Sequence, residues 1–160
     1  MILIAYDGSD DAKAAVERAG KLFPGAAATI LTVWQRSIDA MTRAGGGITV
    51  ALDFEVMDAD AERAAANTAA AGAELAREAS LDAQPQTAVV KSTVAGAVLA
   101  TAMEAGAAAV VCGSRGHSGL LSLMLGSVSH HLIQHAEIPV VVVPSPVVAA
   151  ARAAHREHLR

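Results

Sequence analysis

The sequence predicts an α/β fold, a five-stranded parallel sheet with helices on both faces. Five short apolar runs alternate with four helical patterns along the chain. Such alternation marks a parallel sheet covered on both sides. The run AAAVVC (107–112), built of small and β-branched residues, reads as a buried parallel strand. Hydrophobic residues make up 53% of the chain and aromatic ones 2%. Alanine alone supplies roughly a quarter, far above ordinary usage, so small helices packed closely on the sheet are expected.

Taken in order, ILIAY (2–6) is the first strand and stops at Asp7 and Gly8. Ser9 and Asp10 are suited to cap a helix from Asp11 to Phe23, with Ala15, Val16, Ala19 and Leu22 at helical spacing. Pro24 and Gly25 end it, and ATILTVW (28–34) is the second strand. Gly45, Gly46 and Gly47 interrupt regular structure and predict a mobile surface loop within 35–52. An alanine-rich helix follows over 53–80. Its early acids, Asp53, Glu55, Asp58 and Asp60, suit a helix N-terminal half and read as a solvated face. QTAVVK (86–91) is the third strand, 95–105 a helix, and 107–112 the fourth strand. A helix over 126–136 then leads to the fifth strand, PVVVV (139–143).

The 160 residues are expected to form one domain over 1–146, followed by a helix-prone tail over 147–160. Arg152, Arg156 and Arg160 make that tail locally basic. The net charge of −4 argues against nucleic acid as a partner, because phosphate-backbone binding needs a basic surface. The scarcity of aromatics removes the stacking platforms of single-strand binders. Cys112, the single cysteine, allows no intramolecular disulfide and reads as a buried, inert thiol. The start MILIAYDGSD has no basic leader, and no apolar span reaches 18 residues. A soluble cytoplasmic protein, without membrane contact, is expected.

The most informative stretch is GSRGHSGLLSLMLGSVS (113–129), directly after the fourth strand. Gly113, Gly116 and Gly126 stand in the spacing G-x2-G-x9-G, with Ser127 after the last glycine. A glycine at a strand end lets a ligand approach the backbone, and one three residues on permits positive φ. Gly126 and Ser127 open a helix whose first amides have no partner within it, a start that favours anions. The pattern points to a phosphate cradle made mostly of backbone. Arg115, the one arginine or lysine in the loop, is the candidate for a charge-assisted phosphate bond, with a solvated loop arginine as the alternative.

Rival chemistries find less support. No G-x4-G-K-[ST] occurs, and Ser118 sits in HSG rather than in a G-x-S-x-G elbow. His131 and His135 are spaced i, i+4 on one helix, but no H-E-x-x-H pattern or third ligand accompanies them, so no protein metal site is assigned. His117 is placed to touch a phosphate or to face solvent.

With YDGS closing the first strand, the glycine-serine loop after the fourth and IPVVVVP at the end of the sheet, the chain resembles the universal stress protein family over Met1 to Pro144. The spacing G-x2-G-x9-G-[ST] is similar to that of its ATP-binding branch. The resemblance implies the strand order 3-2-1-4-5 and a Rossmann-like crevice between strands one and four, where ligands of open α/β sheets bind. By the same resemblance Asp7 lines the nucleotide pocket, with Mg²⁺ possible beside it, and the Val33 backbone meets the adenine edge. Gly113, Arg115, Gly116, Gly126, Ser127 and Val128 wrap ribose and phosphates. ATP is the implied ligand, in a stress-response signalling module with little or no catalysis. A slow ATP hydrolase or phosphotransferase is the alternative, and a non-nucleotide interaction protein that keeps the fold is another. The resemblance also implies a homodimer through strand 139–144, an apolar edge that needs a partner or a cover. The tail folding back over that edge is the competing arrangement. Two departures from the family pattern are Ser92, where a glycine is usual, and Ala108, where an acid is usual.

Overall fold

A computed structural model of the chain describes residues 1–43, 53–117 and 125–157. The expected loop at Gly45 to Gly47, the loop residue Ser118 and tail residues 158–160 lie outside them. Along the described residues run β1 (Ile2–Ala5), α1 (Asp10–Leu22), β2 (Ala27–Trp34), α2 (Ser37–Arg43), α3 (Phe54–Glu78) and β3 (Asp82–Val89). They continue with α4 (Val94–Glu104), β4 (Val110–Gly113), α5 (Ser127–His135), β5 (Val140–Val143) and α6 (Pro146–Glu157). The strands pair in parallel in the order β3-β2-β1-β4-β5. The five-stranded sheet and its helical cover are as the sequence predicts, and the strand order is the one the family resemblance implies. None of the described helices is long and apolar enough to cross a membrane.

The alternation of side chains along β1 divides the core in two. Ile2, Ile4 and Tyr6 face α1 and α3, packing with Val16, Ala19, Ile30, Ala73 and Ala76. Leu3 faces α4 and α5, packing with Leu31, Val98, Val110 and Leu132. Small residues let the helices come very close. A Cβ on Gly20 of α1 would lie 2.1 Å from the backbone oxygen of Ala79, just past α3. One on Gly72 of α3 would lie 2.6 Å from the Tyr6 ring.

Two strand boundaries differ from expectation, and one helix was not expected. β3 begins at Asp82 and carries Pro85 in register with Ile30. Proline is tolerated because β3 is an edge strand and need donate to one neighbour only. β4 begins at Val110, because Ala107 is spent closing α4. Its N–H reaches the Ala102 carbonyl and that of Gly106 reaches Met103, with Gly106 at φ 61°. This is the two-bond helix ending that calls for a left-handed residue. The short helix α2 was not expected. Its first amide, on Ser37, donates to Asp58 Oδ1 at 2.7 Å, so Asp58 caps a neighbouring helix instead of facing solvent alone.

Gly20→Ala adds one methyl against a backbone oxygen that has little freedom to move. Overpacking of this kind costs about 1–3 kcal/mol, which outweighs the ~1 kcal/mol an alanine gains over glycine within a helix. Urea denaturation should therefore show a less stable Gly20→Ala protein. Unchanged or higher stability would mean that α1 has room to separate from α3.

Candidate functional site

β1 pairs with β2 on one side and β4 on the other, so the chain leaves the carboxyl ends of β1 and β4 in diverging directions. A crevice opens there. It holds about 510 Å³ of empty space, counting the part open to solvent. Its floor and walls are apolar: Leu31 and Val33 from β2, Val94 and Val98 from α4, Val128 from α5. Asp7, Arg115 and Gly116 form the polar rim, and Asp7 is the one carboxylate lining the crevice among the described residues.

The β1 side and the loop after β4 meet across this rim. Asp7 Oδ1 accepts from the Ser9 amide at 3.0 Å, which turns the carboxylate toward the mouth. Gly8 between them has φ +83°, a conformation glycine adopts without strain. His117 Nε2 lies 2.5 Å from the Asp7 carbonyl oxygen, so the proton sits on Nε2 in this contact. A Cβ on Gly116 would stand 2.6 Å from Asp7 Oδ2.

Two of the expected glycine roles change in the structure. Gly116 is not among the residues with positive φ; the carboxylate of Asp7 is what excludes a side chain there. At Gly113 a Cβ would stand 2.8 Å from the Asp11 backbone and 2.9 Å from the Ala12 nitrogen. The close approach is therefore made by α1 itself, and Gly113 lines the crevice from beside that contact.

Arg115 is held rather than solvated. Its side chain is 17% exposed, with Nε 4.0 Å from Asp11 Oδ2. Asp11 accepts from Ser114 Oγ at 2.6 Å and from the hydroxyl and amide of Ser145. Burial alone would push the Asp11 carboxyl up, but these hydrogen bonds and the Arg115 charge together hold it below its ordinary value of 3.8. The stabilisation is thus complete at neutral pH and is lost as acid protonates the carboxylate below that value. Sequence reasoning passed over Asp11, Ser114 and Ser145. The first looked like one more acid in a helix start, and the serines carry no spacing signal.

Of the residues expected at the site, Asp7, Val33, Gly113, Arg115, Gly116 and Val128 come together around the crevice. Gly126 and Ser127 sit at the start of α5. Gly126 is the N-cap, without a side-chain cap hydrogen bond, and its own amide donates to the Ser114 carbonyl at 2.8 Å. His131 and His135 lie ring to ring, 4.2 Å between centroids. Among the described residues no cluster of three potential metal ligands forms around them or elsewhere.

The model of the universal stress protein family matches residues 1–144. The chain belongs to that family. The curated "Universal stress protein YxiE" of Bacillus subtilis (strain 168) is 43% identical over 60 residues, 38% of this chain and 40% of that protein. The match thus spans well under half the length of this relative. Among solved structures, hypothetical protein MJ0577 is similar with a TM-score of 0.69 at 19% identity, over 89% of this chain and 95% of the other. A universal stress protein solved in complex with cAMP gives 0.60 at 22% identity, over 90% and 96%. At these identities the two structures speak for the fold.

Cys112 lies in β4 and lines the crevice, and burial pushes its thiol up to about 12. At pH 8 the thiolate is then on the order of one part in ten thousand, and the thiolate is the nucleophile. A disulfide reagent such as DTNB should leave native protein unmodified for hours and titrate one thiol after denaturation. Rapid native labelling would place Cys112 in contact with water.

Proposed function

We propose that this protein binds an adenine nucleotide, ATP foremost, in the crevice between β1 and β4. The observation that carries the reading is the convergence of Asp7, Val33, Gly113, Arg115, Gly116 and Val128 on one partly apolar slot. An apolar slot suits a base, and a rim of one guanidinium and the α5 N-terminus suits phosphate. The family relative solved with cAMP supports the same ligand class. Gly126 and Ser127 reach the ligand through the phosphates, at the helix start. Mg²⁺, where it accompanies ATP, would take Asp7 as its protein carboxylate.

The reading is of a nucleotide-dependent module in stress signalling, with little or no turnover. In-line phosphoryl transfer needs a group that positions the attacking nucleophile, and the crevice offers Asp7 alone among described carboxylates. The nucleotide state would act by changing the affinity of a partner for two forms of the protein. The second copy in a homodimer would pair along β5. That strand pairs with β4 on one side, while Val140, Val141 and Val142 stay half-buried. Among the described side chains of α6, Val148 alone is buried and Val147 is 67% exposed.

Gly116→Val drives a side chain into the Asp7 carboxylate without touching the core. Calorimetry should show ATP binding at least about tenfold weaker, with the thermal midpoint near wild type. Equal affinity would remove the ligand from this crevice. Light scattering should find wild type dimeric and Val141→Lys monomeric and folded. A monomeric wild type, or a dimeric lysine variant, would defeat the β5 interface.

A further inference from the structure

Asp11 stands in the first turn of α1, where acids are ordinarily solvated, yet it is 6% exposed. Its carboxylate joins α1 to two other parts of the fold. Ser114 Oγ donates to it from the loop after β4, Ser145 donates twice from the turn between β5 and α6, and Arg115 faces it from the crevice rim. Ser114 is itself fully buried and fully engaged. Its amide donates to the Val143 carbonyl at 2.7 Å. Its carbonyl accepts from the Gly126 amide at 2.8 Å and from Ser129 Oγ at 2.9 Å. Both ends of the glycine loop are thus tied to one serine, and that serine is tied to Asp11.

We propose that Asp11 is a positioning residue of the crevice: its buried carboxylate fixes Arg115 and, through Ser114, the N-terminus of α5, before a phosphate group arrives. The role in ligand binding rests on the nucleotide reading above; the anchoring does not. A cradle assembled in advance loses less freedom when its ligand binds, and so binds more tightly. The apolar slot formed by Val33, Val94 and Val98 draws nothing from this network. Asp11 therefore bears on the anionic part of a nucleotide and leaves the base and ribose nearly untouched. An opposing effect also acts. Removing a negative charge near the rim favours anions, so the net sign of the change separates positioning from simple charge.

The test is Asp11→Asn, which keeps the size of the side chain and removes acceptor capacity. Calorimetry with AMP and with adenosine reads the two halves of the site separately. AMP should bind about tenfold more weakly than to wild type, and adenosine within about threefold. Amide hydrogen exchange reads the anchor without ligand. The Gly126 amide should exchange at least about tenfold faster in the variant, while that of Val111, in the buried strand β4, changes little. Equal losses for AMP and adenosine, tighter AMP binding, or Gly126 exchange that moves only in step with Val111 would each overturn the proposal. Ser145→Ala removes one donor to Asp11 from outside the crevice and serves should Asp11→Asn fail to fold. It should weaken AMP selectively by about threefold, and no selective loss there is equally fatal. Wild-type protein that binds neither ligand defeats the nucleotide reading alone, and the exchange of Gly126 then decides the anchoring by itself.

Discussion

The structure depends on how closely its helices approach the sheet. α1 comes near enough to the end of β4 that a single methyl on Gly113 would collide with the Asp11 and Ala12 backbone. α3 meets Tyr6 at Gly72 and approaches α1 at Gly20. Interiors packed at crystal-like density leave no slack for such groups to move apart. With 2% aromatic residues the chain cannot fill a wide gap between layers, so it closes the gap instead. Alanine serves both needs, because it favours helix and takes little space.

That closeness shapes the crevice. Because α1 is drawn in against Gly113, the start of α1 and the loop after β4 share one wall, with Asp11 inside it and Arg115 at its edge. The opposite wall is α4, whose Val94 and Val98 face β2 and β4 across the slot. Parallel strands whose neighbours run to opposite sides leave such a slot at their carboxyl ends by topology alone. The sequence then decides what lines it. Here the floor is aliphatic and the rim polar, an arrangement that orients a ligand with one flat apolar end and one charged end.

The sheet was legible because its strands are apolar runs bounded by turn residues, and the helices between them keep their period. The crevice and most of its lining were legible for a different reason. Asp7 and the glycines 113, 116 and 126 are residues whose spacing is set by backbone geometry, and backbone geometry is what short motifs record. Their individual reasons were less legible. Gly113 and Gly116 are glycines because α1 and Asp7 occupy the space of a side chain, which only a three-dimensional contact shows. β3 hid its first half because an edge strand tolerates Pro85 and polar residues. α2 hid because its cap, Asp58, lies 21 residues away on α3. Asp11 hid for the same reason at greater range: its partner Ser114 is 103 residues distant.

The buried carboxylate also bears on how firmly the crevice can hold an anion. Taking Asp11 out of water is costly, and the donors from Ser114 and Ser145 offset that cost by meeting its oxygens directly. They leave the negative charge in place, and the cation that faces it among the described residues is Arg115, at 4.0 Å. The field of that guanidinium at the rim is therefore partly cancelled before any ligand arrives. A phosphate would meet directed N–H donors with a reduced net charge behind them. Directed donors confer selectivity for oxygen geometry, while a strong net charge mainly raises affinity for every anion. Under the proposed nucleotide-dependent role, tight and indiscriminate capture would be a defect, since a ligand that never leaves reports nothing. On that reading, a cation tethered to a buried acid would give recognition together with release.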